Sequence, residues 1–327
     1  MDDRNDGLRL SDGTQLQRRD RPLHLVLVGL SCCDHIWQVA QYPPRLSRTP
    51  ATSYRMQGGG PAATAAVTAA RLGAKAELWA IHGDDANGRA AKGELERFGV
   101  DTSQLRVVPG AATWVSAVLV APDGERFIFP FAGSGLSDTA DTLDAERLTS
   151  VDCVLVDGRH PKMCGWAAAE ARRRGIPTVG DFGDARSFDL AVEVDYLIAS
   201  EECAGQVSGQ SDPEAALSAL RRFEGQFVGI TLGEQGFLYD DGRRVRHLPA
   251  LSVDVVDTTG AGDVFHGAFA FAVARGDPPS RCALFASVAA ALSCQGLGRT
   301  TIPALAAVEH LLEMRTLKEM NELRWTS

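Results

Sequence analysis

After its first 21 residues, the chain alternates short apolar segments with segments of helical spacing. The apolar runs HLVLVGL (24–30) and VDCVLVDG (151–158) are each followed by such a segment, at residues 61–73 and 162–175. Strands joined through helices pair in parallel, because each helix returns the chain to the same end of the sheet. The pattern therefore predicts an α/β fold with a mostly parallel central sheet, helices on both faces and ligands at the carboxyl ends of the strands.

Two segments interrupt this alternation and predict a small β lid over the strand ends. Residues 34–57 are extended with proline-marked turns, and residues 112–132 form a predicted hairpin that turns at Pro122-Asp123-Gly124. Alternating apolar residues in the second segment predict an apolar face, so we expect the lid to pair two chains in a homodimer. The polar residues 1–21 predict a disordered tail, and residues 22–320 a single domain.

Composition excludes several classes of function. The 327 residues are 45% hydrophobic with a net charge of −9, so a large core is expected and a nucleic-acid-binding surface is not. No apolar run is long enough to predict a membrane span or a signal peptide. The seven cysteines show no CxxC spacing, which is typical of reduced thiols in a cytoplasmic protein. The expected partner is a small molecule.

The stretch DVVDTTGAGDVFHGAF (254–269) predicts a site for an anion and a proton acceptor. Its glycines precede apolar residues at helical spacing, so they lie where a helix begins. The first turn of a helix presents unpaired N–H groups and the positive end of its dipole, which together favour an anion. Asp263 follows directly. It either stabilises the helix dipole or takes a proton from an attacking hydroxyl.

Three segments resemble the PfkB/ribokinase family of carbohydrate kinases. They are GGGPAATAAVTAARLGAKAELWAIHGDDANGR (58–89), TLGEQG (231–236) and DTTGAGDVFHGAFAFAVARG (257–276), and the resemblance extends from Val28 to Leu311. It implies a ribokinase-like three-layer sandwich and ATP-dependent phosphorylation of a sugar hydroxyl. In that family's scheme Asp263 is the general base, and the N–H groups of Gly260, Ala261 and Gly262 hold the transferred phosphoryl group.

The resemblance also implies binding residues. The matching sugar-binding positions are Asp34, Gly58 and Gly59, and the nucleotide positions are Thr231, Gly233, Gly236 and Ser200. Asp257 matches a carboxylate at a monovalent-cation (K⁺) site lined by residues 294–300. Without the resemblance, Asp34 and Asp257 are ordinary turn carboxylates, and TLGEQG is a simple hairpin turn.

Two departures from the family pattern concern Mg²⁺ and the sugar. The usual Asn-x-x-Glu after the middle strand is replaced by SEEC, so Ser200 stands for the Asn and Cys203 for the Glu. Glu201 is then the candidate to hold Mg²⁺ through water. In the sugar loop, Ala63 replaces a hydroxyl-binding Asn, so the pocket offers ribose fewer partners.

Arg48 and Arg159 suggest an anionic sugar, because a guanidinium binds sulfonate or phosphate in a bidentate manner. With the segments above they resemble the sulfofructose-kinase branch, which implies 6-deoxy-6-sulfofructose as substrate and convergence of both arginines on one pocket. Pro130 departs from that branch, which has Asn there. Fructokinase, ketohexokinase, 2-keto-3-deoxygluconate kinase and nucleoside kinase stay open as alternatives, as does a non-catalytic sugar- or nucleotide-binding regulator. A dehydrogenase is disfavoured, because GLSCCD (29–34) is not a dinucleotide-binding GxGxxG motif.

Overall fold

The structure is a computed structural model that describes residues 21–42, 48–122, 126–240, 242 and 244–324. The predicted tail therefore lies outside the described residues except for Arg21, as do residues 123–125 of the predicted hairpin turn.

The described strands and helices follow the predicted alternation. The strands are β1 (His24–Val28), β2 (Cys32–Val39), β3 (Ala51–Gly59), β4 (Lys75–Trp79), β5 (Ile81–Gly83), β6 (Arg106–Val108), β7 (Val115–Val120), β8 (Arg126–Phe131), β9 (Cys153–Val156), β10 (Thr178–Phe182), β11 (Tyr196–Ser200), β12 (Phe227–Thr231), β13 (Phe237–Asp240) and β14 (Val245–Leu248). The helices are α1 (Pro61–Arg71), α2 (Ala86–Arg97), α3 (Pro161–Arg173), α4 (Glu201–Ser208), α5 (Pro213–Leu220), α6 (Ala261–Arg275), α7 (Pro279–Ser293) and α8 (Leu305–Arg324).

The main sheet has eight strands in the order β14-β13-β12-β11-β10-β9-β1-β4. The six strands from β12 to β4 pair in parallel, and β13 and β14 extend the edge in antiparallel fashion. The predicted mostly parallel sheet is confirmed. One predicted strand, residues 76–83, is two: β4 belongs to the main sheet, whereas β5 pairs with β6. Every residue of that run is buried, so its apolar character does not reveal the break at Ala80.

Helices cover both faces of the sheet and form the three predicted layers. One hydrophobic cluster joins the sheet to α1, α6, α7 and α8, and a second joins its other face to α3, α4 and α5. All seven cysteines are free and buried. No helix within the described part of the chain has the length and apolar character needed to cross a membrane.

The two interrupting segments form one four-stranded sheet in the order β3-β2-β7-β8, which we call the lid. Its register places Gln57, Asp34, Ser116 and Pro130 in one row across the strands. Side chains alternate between the two faces of a sheet, so the neighbouring row, Met56, His35, Ala117 and Phe129, lies on the opposite face.

Close packing of α1 on α6 brings the starts of these two helices together. A methyl group at Gly267 would lie about 2.7 Å from the carbonyl oxygen of Ala65, so only glycine permits this approach. The small residues that α1 buries along its length serve the same purpose. As a result, Thr64 in the first turn of α1 lies 3.5 Å from the Cβ position of Gly260, the residue that precedes α6.

Candidate active site

A crevice lies where β2 and β3 meet the starts of α1 and α6. The crevice is lined by Asp34, Gln57, Gly58, Gly59, Gly60, Thr64, Thr259, Gly260, Asp263, Val264, Ser293, Gly298, Arg299 and Ile302. It therefore brings together Asp34, Gly58, Gly59, Gly260 and Asp263, which the sequence analysis placed in one site.

Asp34 extends from β2 against the end of β3. A methyl group at Gly59 would lie 2.1 Å from Asp34 Oδ2, so this glycine makes room for the carboxylate. Burial raises the pKa of Asp34, while hydrogen bonds from Ser116 and Cys32 oppose that shift. The carboxylate is thus a partly desolvated acceptor that suits sugar hydroxyls.

The start of α6 presents free N–H groups beside Asp263. Gly260 has φ 76°, a left-handed conformation that favours glycine, and no side chain caps the helix. The Ala261 N–H donates to the carbonyl of Thr258 (3.2 Å), so this predicted donor is already engaged. The N–H groups of Gly260, Gly262 and Asp263 have no partner in the described chain. Such donors at the positive end of a helix dipole suit an anion.

Three carboxylates lie close together behind this helix start. Asp263, Asp181 at the end of β10 and Asp157 after β9 each act electrostatically on another of the three. The pKa of Asp263 is raised mainly by burial and then by Asp181, while His266 and Arg299 lower it. His266 is itself buried and contacts the Gly262 carbonyl (2.7 Å) and Asp181 Oδ2 (3.4 Å). The raised pKa leaves Asp263 a stronger base than an exposed aspartate.

We expect kcat/KM to fall as the pH drops below neutrality, because only the ionised form of Asp263 accepts a proton. This acid limb should lie well above pH 3.9, the usual aspartate pKa, because the pKa of Asp263 is raised. Asp181→Asn removes a neighbouring negative charge, so the pKa of Asp263 should fall and the limb should move to lower pH by about 1 unit. The pH profiles of both proteins check this. A limb at the same pH in the variant would contradict the coupling.

Arg299, in the 3₁₀ turn Gly298–Thr301, is a pocket residue that the sequence analysis placed only in the segment lining the cation site. Its guanidinium donates to Thr64 Oγ1 and pairs with Glu94 of α2. Glu94 also accepts a hydrogen bond from the Gly58 N–H (2.9 Å). The sequence signal that points to this position is its place in the glycine-containing segment CQGLGRT (294–300).

Asp257 lies beside the 294–300 segment, but its carboxylate is already engaged. The Asp257 N–H donates to the Cys294 carbonyl (3.1 Å). Asp257 Oδ1 accepts from the N–H and hydroxyl of Thr259, and Oδ2 pairs with Arg55 of the lid (3.0 Å). A monovalent cation at this carboxylate would compete with the Arg55 guanidinium.

The predicted nucleotide residues lie further along the same edge of the sheet. Ser200 ends β11 opposite Thr231 of β12, and its hydroxyl caps α4 by accepting from the Cys203 N–H (3.1 Å). Gly233 and Gly236 both have positive φ. A methyl group at Gly236 would lie 2.1 Å from the Leu248 carbonyl, so close strand packing alone requires that glycine.

The described residues provide no cluster of three or more side chains that could hold a metal ion directly. Asp181 Oδ2 is nevertheless buried and makes no hydrogen bond to any described residue, although His266 lies 3.4 Å away, and Glu201 is exposed in the first turn of α4. These two carboxylates fit a Mg²⁺ ion held through water and phosphate oxygens, because Mg²⁺ usually retains several waters.

Arg48 and Arg159 are not among the described residues that line the crevice, and their convergence on one pocket stays a prediction. Arg159 follows β9, and its guanidinium pairs with Asp184 (3.1 Å). Arg48 is exposed and precedes β3, whose first residue, Ala51, pairs at the outer end of β2. At about 3.3 Å per residue, the length of β3 separates Ala51 from Gly58 by about 20 Å.

Comparison with known proteins connects this geometry to one family. The family model described as "pfkB family carbohydrate kinase" matches residues 23–305. A Bacillus subtilis ribokinase is 31% identical over 271 residues, which cover 80% of this chain and 89% of that protein. A Haemophilus influenzae ribokinase is 28% identical over 300 residues, covering 88% and 98%. The structure of Arabidopsis thaliana ribokinase complexed with ribose and ATP superimposes with a TM-score of 0.79 at 25% identity, covering 89% of this chain and 99% of that one. This chain therefore belongs to the PfkB family of carbohydrate kinases.

Proposed function

We propose that the protein transfers the γ-phosphoryl group of ATP to a primary hydroxyl of a sugar. The observation that carries this proposal is that Asp34, Asp263 and Gly260 line one crevice. Asp34 then serves as the hydroxyl-binding carboxylate, Asp263 as the base and Gly260 as part of the anion site, all in contact with the same crevice. The relatives named ribokinase support a sugar of the ribose type.

The chain's own groups supply most of the chemistry. Asp34 orients the sugar by accepting hydrogen bonds from its hydroxyls. Asp263 accepts the proton of the attacking sugar hydroxyl. The hydroxyl oxygen forms a bond to the γ-phosphorus, and the bond between that phosphorus and the leaving ADP oxygen breaks. The free N–H groups of Gly260 and Gly262 stabilise the charge on the phosphoryl oxygens, which is the largest contribution in reactions of this kind.

ATP and Mg²⁺ complete the proposed site. The phosphates of ATP approach along the strand ends from Thr231, Gly233 and Ser200 toward Gly260. Mg²⁺, held through water near Asp181 and Glu201, would neutralise charge on the phosphates. A K⁺ ion at Asp257 is less well supported, because the Arg55 guanidinium already provides a positive charge at that carboxylate. Reduced, buried cysteines support a cytoplasmic location.

An anionic sugar such as 6-deoxy-6-sulfofructose is a second candidate. The observation in its favour is Arg159, whose side chain is 27% exposed at the carboxyl ends of the strands, the edge on which the crevice also lies. A phosphorylation screen over ribose, fructose, fructose 6-phosphate, 2-keto-3-deoxygluconate and sulfofructose separates the candidates. If fructose has a higher kcat/KM than sulfofructose, the sulfosugar assignment is wrong. Product formation with none of these sugars would count against the general proposal.

We also propose that the lid pairs two chains. Tyr54, Met56, Phe129 and Phe131 lie on one lid face, and each is 46–55% exposed. Monomeric proteins rarely expose a contiguous apolar patch of this kind, so a second copy of the same face is its simplest cover.

Phe129→Asp should convert the dimer to a monomer, because it places a charge on the apolar lid face. Light scattering at micromolar concentrations measures the mass. Ile128→Ser is the matched control, since Ile128 is 57% exposed but lies on the other face of the same strand. A monomeric wild-type protein, or an unchanged mass in the Phe129 variant, would contradict a lid-mediated dimer.

A further inference from the structure

The guanidinium of Arg299 lies in the wall of the sugar crevice, although the residue as a whole is only 6% exposed. It acts electrostatically on both Asp34 and Asp263, so its charge is felt by the hydroxyl-binding carboxylate and by the base. We propose that Arg299 is a substrate-binding residue that donates hydrogen bonds to an oxygen of a neutral sugar. This inference rests on the proposed function.

Two helices hold the guanidinium in place. Its Nη2 and Nε donate to Thr64 Oγ1 of α1 at 2.9 and 3.2 Å. Its Nη1 lies 3.4 Å from Glu94 Oε1 of α2. A planar group fixed from two sides loses little further freedom when it binds a ligand, which favours a recognition role.

Gly58 makes room for this arrangement. A methyl group there would lie 2.5 Å from Arg299 Nη1 and 3.0 Å from Glu94 Oε1. The guanidinium therefore lies directly beneath the backbone of the glycine loop that the sequence analysis assigned to sugar binding.

The side chain has more donors than the protein uses. A guanidinium carries five N–H groups. Three are engaged by the Thr64 hydroxyl and Glu94, and the other two find no acceptor among the residues that the structure describes. Leaving donors of a buried charged group unpaired is costly, so these two are expected to bind water or an oxygen of a ligand in the crevice.

The charge balance favours a neutral sugar oxygen as the acceptor. Glu94 already pairs with Arg299, and Asp34 and Asp263 line the same crevice. A sulfonate or phosphate at Arg299 would add negative charge beside these carboxylates in a poorly solvated space. A hydroxyl, ring or carbonyl oxygen avoids that repulsion and complements Asp34, which in its ionised form only accepts hydrogen bonds.

Arg299→Met tests the proposal, because methionine retains the apolar stem and removes every donor. Titration calorimetry gives sugar affinity without ATP, and steady-state kinetics gives both KM values. We expect the sugar Kd and KM to rise about 10- to 100-fold, as for lost hydrogen bonds to a charged group, while the KM for ATP changes by less than about 2-fold. Arg281→Met on α7, an arginine 47% exposed, is the matched control and should leave sugar affinity unchanged.

Two further variants keep the test decisive if Arg299→Met fails to fold. Arg299→Lys retains the charge but loses the planar fork, so it should weaken sugar binding without abolishing it. Glu94→Gln removes the negative charge that pairs with Arg299, so the guanidinium keeps its positive charge unopposed. An anionic sugar should then bind better, and the ratio of kcat/KM for sulfofructose to kcat/KM for fructose should rise.

An unchanged sugar Kd in the Met or Lys variant would overturn the proposal and leave Arg299 a structural clamp. A loss of ATP affinity in Arg299→Met as large as the loss of sugar affinity would also overturn it. So would an unchanged kcat/KM ratio of sulfofructose to fructose in Glu94→Gln. If the wild-type protein phosphorylates no sugar, the proposed function fails instead. The two failures are thus distinguishable.

Discussion

Asp263→Asn should remove turnover while ATP and sugar still bind. The amide has nearly the same shape as the carboxylate but cannot accept the hydroxyl proton at neutral pH, so kcat should fall about 10²- to 10⁴-fold. The free N–H groups of Gly260 and Gly262 stay in place, so the affinity for ATP should change little. A coupled assay for ADP and calorimetry with ATP measure the two quantities.

Asp254→Asn provides the matched control for this variant. Asp254 is exposed in the segment that leads into α6, and the same change there should leave kcat unaffected. Turnover close to that of the wild-type protein in Asp263→Asn would remove Asp263 from the mechanism. A protein that no longer binds ATP would show that the substitution disturbs the anion site.

Asp157→Ala should destabilise the fold more than most single substitutions. Asp157 is 2% exposed, and its carboxylate accepts hydrogen bonds from the N–H groups of Leu30 (2.7 Å), Ala62 (3.1 Å) and Arg159 (2.9 Å). It thus joins the chain after β1 and β9 to the start of α1. Alanine leaves three N–H groups without their acceptor, so the free energy of unfolding should fall by about 3–5 kcal/mol.

Urea unfolding followed by tryptophan fluorescence measures this loss. Asp157→Asn retains one acceptor oxygen and should lose less than the alanine variant. Asp141→Ala, at an exposed position, should change the unfolding free energy by less than about 0.5 kcal/mol. A loss below about 1 kcal/mol in Asp157→Ala would show that water replaces the carboxylate at these N–H groups.

Local sequence patterns predict most of the fold. Apolar runs and helical spacing locate the parallel strands and the helices because burial on both faces of a sheet leaves a continuous apolar segment. The break between β4 and β5 is not predictable in this way, since both strands are buried. The lid strands are predictable as extended segments. Their union in one sheet depends on pairing between β2 and β7, which are far apart in sequence.

The site is less predictable, because its electrostatics depends on contacts between distant segments. Glycine at a helix start marks Gly260 and Asp263, but nothing local places Glu94 of α2 beside Arg299. Asp181 carries a usable signal, since a charged residue inside the apolar strand TVGDF needs a reason to be buried. Arg48 rests on sequence resemblance alone. It precedes β3, whose first residue pairs at the outer end of β2, so its place in the pocket stays a prediction.

Phosphoryl transfer from ATP to a sugar tests the central claim most directly. Purified wild-type protein, ATP and Mg²⁺ are incubated with each sugar of the panel, and phosphorus NMR identifies the products. We predict ADP together with a sugar phosphate esterified at a primary hydroxyl, formed by the wild-type protein and not by Asp263→Asn. ADP release without a sugar phosphate for every sugar, or equal product formation by both proteins, would contradict the claim.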